Sequence, residues 1–136
     1  MTTEKKFRAW DIDIKKMIYF TEGSEYNLLL EDGSFTVEGR DRILYQVDSI
    51  DTKYHDSFIL IQYAGLKDKN RVEIYEGDIV NRFEKHSEAQ PIKLQVYWNE
   101  KSCGWSIKDN KNSMYMSNLC LLEVIGNIYK NPELLK

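Results

Sequence analysis

Lys93-Leu94-Gln95-Val96-Tyr97-Trp98-Asn99-Glu100-Lys101-Ser102-Cys103-Gly104-Trp105-Ser106-Ile107 is the stretch that decides the class of fold. Leu94, Val96 and Trp98 alternate with Lys93, Gln95 and Tyr97, so an extended chain places the two sets on opposite sides. After a polar turn at 99–102, the apolar spacing returns at Cys103, Trp105 and Ile107. Two strands of a hairpin with one buried face account for this pattern. Core packing is the expected role of Trp98 and Trp105, while Trp10 is left open.

Working outward, the rest of the chain repeats the same grammar of short apolar runs broken by turns. Strands are expected at 7–10 and 17–20, then at 26–30 and 35–37 around Glu31-Asp32-Gly33-Ser34. An Asp-Gly pair between two apolar runs marks a tight hairpin. Residues 42–47 read equally as a strand or a short helix. The β-branched and aromatic run 58–63 reads as a buried strand, followed by a turn at 66–70. Residues 72–75 and 79–80 are expected strands on either side of Glu76-Gly77-Asp78. A polar loop covers 84–91. Leu122, Val124 and Ile128 suggest a last strand, with Gly126 marking a bend, bulge or close packing. Pro132 ends regular pairing.

The expectation is a mainly β protein with a minor α contribution. Its carboxy-terminal half would be a small barrel of about five strands, packed with an amino-terminal β-rich segment. The polar stretch 48–57 is the candidate boundary, giving 1–57 and 58–136, or one compact unit.

Composition bounds the function. The chain has 136 residues, 42% of them apolar and 30% charged, enough to form a core and a solvated surface. The net charge of −3 provides no general basic field for nucleic acid. Cys103 and Cys120 are too few for a disulfide-stapled secreted domain, and both are expected reduced and partly buried. No apolar run approaches a bilayer span, and 1–11 has no signal-like core. A cytoplasmic location without membrane contact is expected.

Catalytic machinery is hard to find. His55 and His86 have no partner at metal-ligand spacing, and no phosphate-binding, nucleophile-elbow or zinc-protease motif is present. The adjacent carboxylates Asp11 and Asp13, and Glu31 and Asp32, are better explained by turns. No catalytic residue, metal ligand or cofactor is expected. Gly77 suits a tight turn needing positive φ, and Asp78 suits a bond to nearby backbone. Lys67, Lys69 and Arg71 form a small basic turn beside Tyr63. With Arg82, Lys85 and Lys93 they outline a weak phosphate-contacting face, diluted by Asp68, Glu73, Glu76 and Glu84.

Three blocks together resemble the YopX-like protein family. They are Lys6-Phe7-Arg8-Ala9-Trp10-Asp11 with Lys16-Met17; Gln62-Tyr63-Ala64-Gly65-Leu66-Lys67-Asp68-Lys69-Asn70 running on to Glu73-Ile74-Tyr75-Glu76-Gly77-Asp78-Ile79-Val80; and Val124-Ile125-Gly126-Asn127-Ile128-Tyr129 with Asn131-Pro132-Glu133-Leu134-Leu135. The resemblance implies a phage- or prophage-encoded protein with an SH3-like barrel in its carboxy-terminal half. It implies no assigned activity. Relatives usually carry Thr at the place of Ala64 and Gly at that of Arg71. Asn70 is the expected left-handed residue in place of that Gly.

The preferred functional expectation is a non-enzymatic interaction module that binds a host or phage protein, or a second copy of itself. Its recognition surface is placed on Leu66, Lys67, Asp68, Lys69 and Arg71, with Glu76 and Asp78. Weak nucleic-acid binding through the basic turn is the first alternative. An enzyme built from scattered carboxylates and tyrosines is the second.

Overall fold

A computed structural model describes residues 6–47, 57–85, 88–117 and 121–136. The expected boundary segment, both histidines and Cys120 lie outside or mostly outside these residues. Twelve strands and one short 3-10 turn are present among them. The chain divides into two compact units, Lys6–Gln62 and Tyr63–Lys136. The division falls inside one eleven-residue strand rather than ahead of Phe58, because that strand belongs to both units.

In the amino-terminal unit the strands are β1 (Phe7–Asp11), β2 (Lys16–Tyr19), β3 (Asn27–Glu31), β4 (Ser34–Glu38), β5 (Ile43–Gln46) and the first half of β6 (Ser57–Lys67). They lie in the order β2-β1-β6-β5-β4-β3. All pairings are antiparallel except β5 with β6, which is parallel. Within 42–47, Ile43–Gln46 thus resolves as strand. The Asp-Gly hairpin is present: Asp32 (φ 49°) and Gly33 (φ 78°) are both left-handed, as a two-residue turn between twisted strands requires. Ala9, Ile18, Val37, Leu44 and Phe58 form the core of this unit. Removing a side chain such as Leu44 or Phe58 from water contributes about 2 kcal/mol each. Trp10 is buried.

The carboxy-terminal unit contains the rest of β6, then β7 (Glu73–Tyr75), β8 (Asp78–Phe83), β9 (Ile92–Asn99), β10 (Gly104–Lys108), β11 (Ser113–Tyr115) and β12 (Leu121–Asn127). Five of them form an antiparallel sheet in the order β11-β10-β9-β8-β12, curled as a small half-barrel. β7 pairs with β6. Ile74, Val80, Leu94, Val96, Ile107 and Leu122 fill the core. The register shifts between Val124 and Gly126, so the expected irregularity at Gly126 is a bulge. A Cβ at Gly126 would lie 2.6 Å from Asn131 Oδ1, so close packing is also real. The 3-10 turn Pro132–Leu135 follows.

Three expectations fail locally. β6 continues through Leu66 and Lys67, because Gly65 (φ 86°) absorbs a register shift without ending the strand. Cys103 (φ 52°) is the last turn residue before β10 and is exposed, not part of a buried face. Trp98 is 44% exposed. The core column ends at Val96 and Ile107, and Trp98 pairs one step further out with the half-buried Trp105. The two rings meet edge to face with centroids 5.2 Å apart.

Candidate functional site

The expected recognition residues lie on the segment from β6 to β8. Its first turn is organised by one carboxylate. Asp68 Oδ1 accepts bonds from the N–H groups of Asn70 (2.8 Å) and Val72 (2.9 Å). The Asp68 N–H donates to the Val72 carbonyl (2.8 Å), and the Arg71 N–H donates to the Asp68 carbonyl (3.0 Å). An Asp at this position can hold such a turn because its short side chain reaches its own following backbone. The left-handed residue is Arg71 (φ 66°), not Asn70. The closed ring of bonds around Asp68 fixes which position turns upward. Arginine, with a Cβ, adopts that conformation at a cost.

The same turn guards the open edge of β12. Asp68 Oδ2 accepts the Val124 N–H at 2.9 Å, and the Lys69 N–H donates to the Leu122 carbonyl at 2.9 Å. Lys69 Nζ lies 3.3 Å from Glu123 Oε2 and 4.4 Å above the Phe83 ring. Leu66 packs against the core. Lys67 and Arg71 are exposed.

At the other end of β7, Gly77 (φ 85°) makes the tight turn. A Cβ there would stand 2.8 Å from the Tyr129 ring. Its N–H donates to the Val96 carbonyl and its carbonyl accepts from Ile128. Asp78 is 1% exposed and accepts the Tyr75 N–H at 2.8 Å. Half-buried Glu76 has its carboxyl pushed above the usual value by loss of water.

The seven residues therefore divide by role. Asp68 and Asp78 bind their own backbone, and Leu66 is a core residue. Lys69 is shared between a carboxylate and a ring. Lys67 and Arg71 present charge outward and Glu76 is half-buried, with the three-residue β7 separating the two turns.

Sequence reasoning missed a second organising carboxylate. Asp11 is fully buried and accepts Arg42 Nη1 at 2.7 Å, together with the N–H groups of Asp13 (3.1 Å) and Ile14 (3.3 Å). The turn role assigned to Asp11 was visible, but Arg42 is 31 residues away. Two open cavities were also unmarked. One, of about 330 Å³, is lined by Gln95, Lys108, Asp109, Asn110, Lys111 and Leu135. The other, about 440 Å³, is lined by Glu25, Asn27, Glu38, Gly39 and Arg40. Backbone N–H groups of Lys111 and Asn112 hold the Asp109 carboxyl below its usual range. Among the described residues, no cluster of His, Cys, Asp and Glu is arranged to hold a metal ion, and no helix is long and apolar enough to cross a membrane.

None of the curated proteins matches this chain. A solved structure of a protein designated EF1440 from Enterococcus faecalis is similar over 99% of this chain and 100% of its own, at 26% identity and a TM-score of 0.61. Residues 6–136 match the YopX protein family, nearly the whole length described above. The chain belongs to the YopX protein family.

Proposed function

We propose that this YopX-family chain is a phage- or prophage-encoded accessory protein acting in the host cytoplasm as a non-enzymatic protein-interaction module. The observation that carries the reading is the exposure of large rings on the carboxy-terminal sheet. Trp98 is 44% exposed and Tyr115 is 71% exposed. Tryptophan and tyrosine supply much contact area for little conformational freedom lost, which is why they dominate interface energetics. The carboxylates point the same way by elimination of other work. Asp11, Asp68 and Asp78 bind backbone groups or an arginine, an architectural use rather than a chemical one.

Nucleic-acid binding remains the second reading, favoured by the exposed Lys67 and Arg71 and by Lys108, whose Nζ lies 4.4 Å above the Tyr97 ring. The acidic overall balance and the Lys69–Glu123 pair oppose it.

Affinity capture of tagged protein from infected-host lysate, with and without nuclease, tests both. A protein partner that survives nuclease and is lost with Trp98→Ala supports the module. A catch that vanishes with nuclease and with Lys67→Ala/Arg71→Ala supports the second reading instead.

A further inference from the structure

Among the described residues the two main strand paths end in four edge strands, three of them protected, and the three-residue β7 beside β6 is a further short edge. β12 is closed by the Asp68–Lys69 turn. β11 has only three residues, and β2 has four and begins with Lys16. Short length, lysine and covering loops are the usual defences against pairing with another chain. Among the described residues, β3 has no lysine and no turn hydrogen-bonded over its outer edge. It is five residues long, reads Asn27-Leu28-Leu29-Leu30-Glu31, and pairs only with β4 among the described residues.

The backbone of β3 is ready to pair. The two-residue turn at Asp32 and Gly33 makes Glu31 and Ser34 the bonded pair that closes the hairpin. Alternation then turns the N–H and C=O groups of Leu29 toward β4, and those of Leu28 and Leu30 away from it. Leu28 and Leu30 also share the side-chain face that meets the core. Leu28 packs on that core, whereas Leu30 is 62% exposed.

We infer that β3 pairs antiparallel with β3 of a second copy, about a two-fold axis at Leu29. This register sets Leu28 against the partner's Leu30, and Leu30 against the partner's Leu28. The outward N–H and C=O groups meet in two bonded pairs, about four hydrogen bonds in all. Leucine meets leucine at all three central positions, and no residue opposes one of like charge. Each exposed Leu30 gains an apolar neighbour, and the sheet continues across the axis as an isologous dimer. The interface is small, so the dissociation constant is expected in about the micromolar range. The inference rests on the reading of the chain as an interaction module and names one partner for it.

Sedimentation of the full chain over a range of concentrations is the test, with two variants. Leu30→Lys places an ammonium group in the pairing and should weaken the dimer about tenfold or more while leaving the far-UV spectrum intact. Leu29→Cys, made together with Cys103→Ser and Cys120→Ser, should form a covalent dimer on mild oxidation. The axis brings the two Leu29 positions to a non-bonded pair with Cα atoms about 4.5 Å apart, within disulfide range. A chain that stays monomeric throughout overturns the inference. So does a dimer that is indifferent to Leu30→Lys and gives no Leu29→Cys cross-link. Should Leu30→Lys fail to fold, the cross-link decides alone. A monomer that still captures a foreign protein from lysate overturns self-pairing but leaves the interaction module standing.

Discussion

Asp68 in the carboxy-terminal unit and Asp11 in the amino-terminal unit are both buried carboxylates at the end of a strand, and they are satisfied differently. The three bonds that the Asp68 carboxylate accepts all come from backbone N–H groups, two within its own turn and one from β12. Asp11 accepts two N–H groups of its own turn and the guanidinium of Arg42, whose side chain is 25% exposed. One carboxylate is held by fixed dipoles that salt barely screens. The other is held partly by a cation at the edge of solvent, where screening is felt.

The largest expected effect is at Asp68. Asp68→Ala removes the acceptor for three N–H groups and frees the edge of β12. We expect a loss of about 3 kcal/mol in urea unfolding, from donors left without partners. Asp68→Asn should fall between, since an amide has one acceptor oxygen in place of two. A loss below about 1 kcal/mol for Asp68→Ala would mean that water replaces the carboxylate and that the turn does not hold β12.

Arg42→Met tests the other half of the comparison. It leaves Asp11 buried without its cation, which is costly in a fully buried pair but moderated here because water reaches the Arg42 site. About 2 kcal/mol is expected. High salt should narrow the gap between wild type and Arg42→Met while leaving that between wild type and Asp68→Ala nearly unchanged. Equal salt responses would erase the distinction between the two carboxylates.

A smaller effect, of opposite sign, lies within the Asp68 turn. Arg71 occupies a left-handed position (φ 66°) that glycine adopts freely. Arg71→Gly should stabilise the chain by about 1 kcal/mol, the relief of strain exceeding the extra unfolded-state freedom of glycine. A destabilised variant would show that the arginine side chain makes a contact worth more than the strain.

These residues also show what a sequence discloses. The Asp32-Gly33 hairpin, the alternation of β9 with β10, and the turn at Gly77 were legible because each depends on a few neighbouring residues. Gly77 and Asp78 were correctly read as turn chemistry, since Gly77 takes the positive φ and Asp78 accepts the Tyr75 N–H, although the backbone bonds of Gly77 run to Val96 and Ile128. Asp68 was legible only by half. Its bonds to Asn70 and Val72 follow from spacing, but the bond to Val124 spans 56 residues. The Asp11–Arg42 pair and the parallel pairing of β5 with β6 were equally hidden, because three-dimensional closure places them. Trp98 misled for a different reason. Strict alternation continued to the end of the strand, while the core beneath it stopped at Val96.

Glu76 supplies the smallest effect and a third case for the comparison. Burial alone raises its carboxyl above the ordinary 4.5. The folded state therefore disfavours the charged form relative to the unfolded chain. Stability from this group is fully kept at pH below the unfolded value and declines as pH rises through the raised folded value. Glu76→Gln removes that penalty, so the variant should be more stable than wild type at neutral pH, modestly because the site is partly open to solvent. The advantage should shrink as acid protonates Glu76 in both states. Urea midpoints of the two proteins measured from acid to neutral pH check this. A glutamine variant that is less stable at neutral pH would mean that the Glu76 charge is favourably held, and burial would no longer be the dominant influence on it.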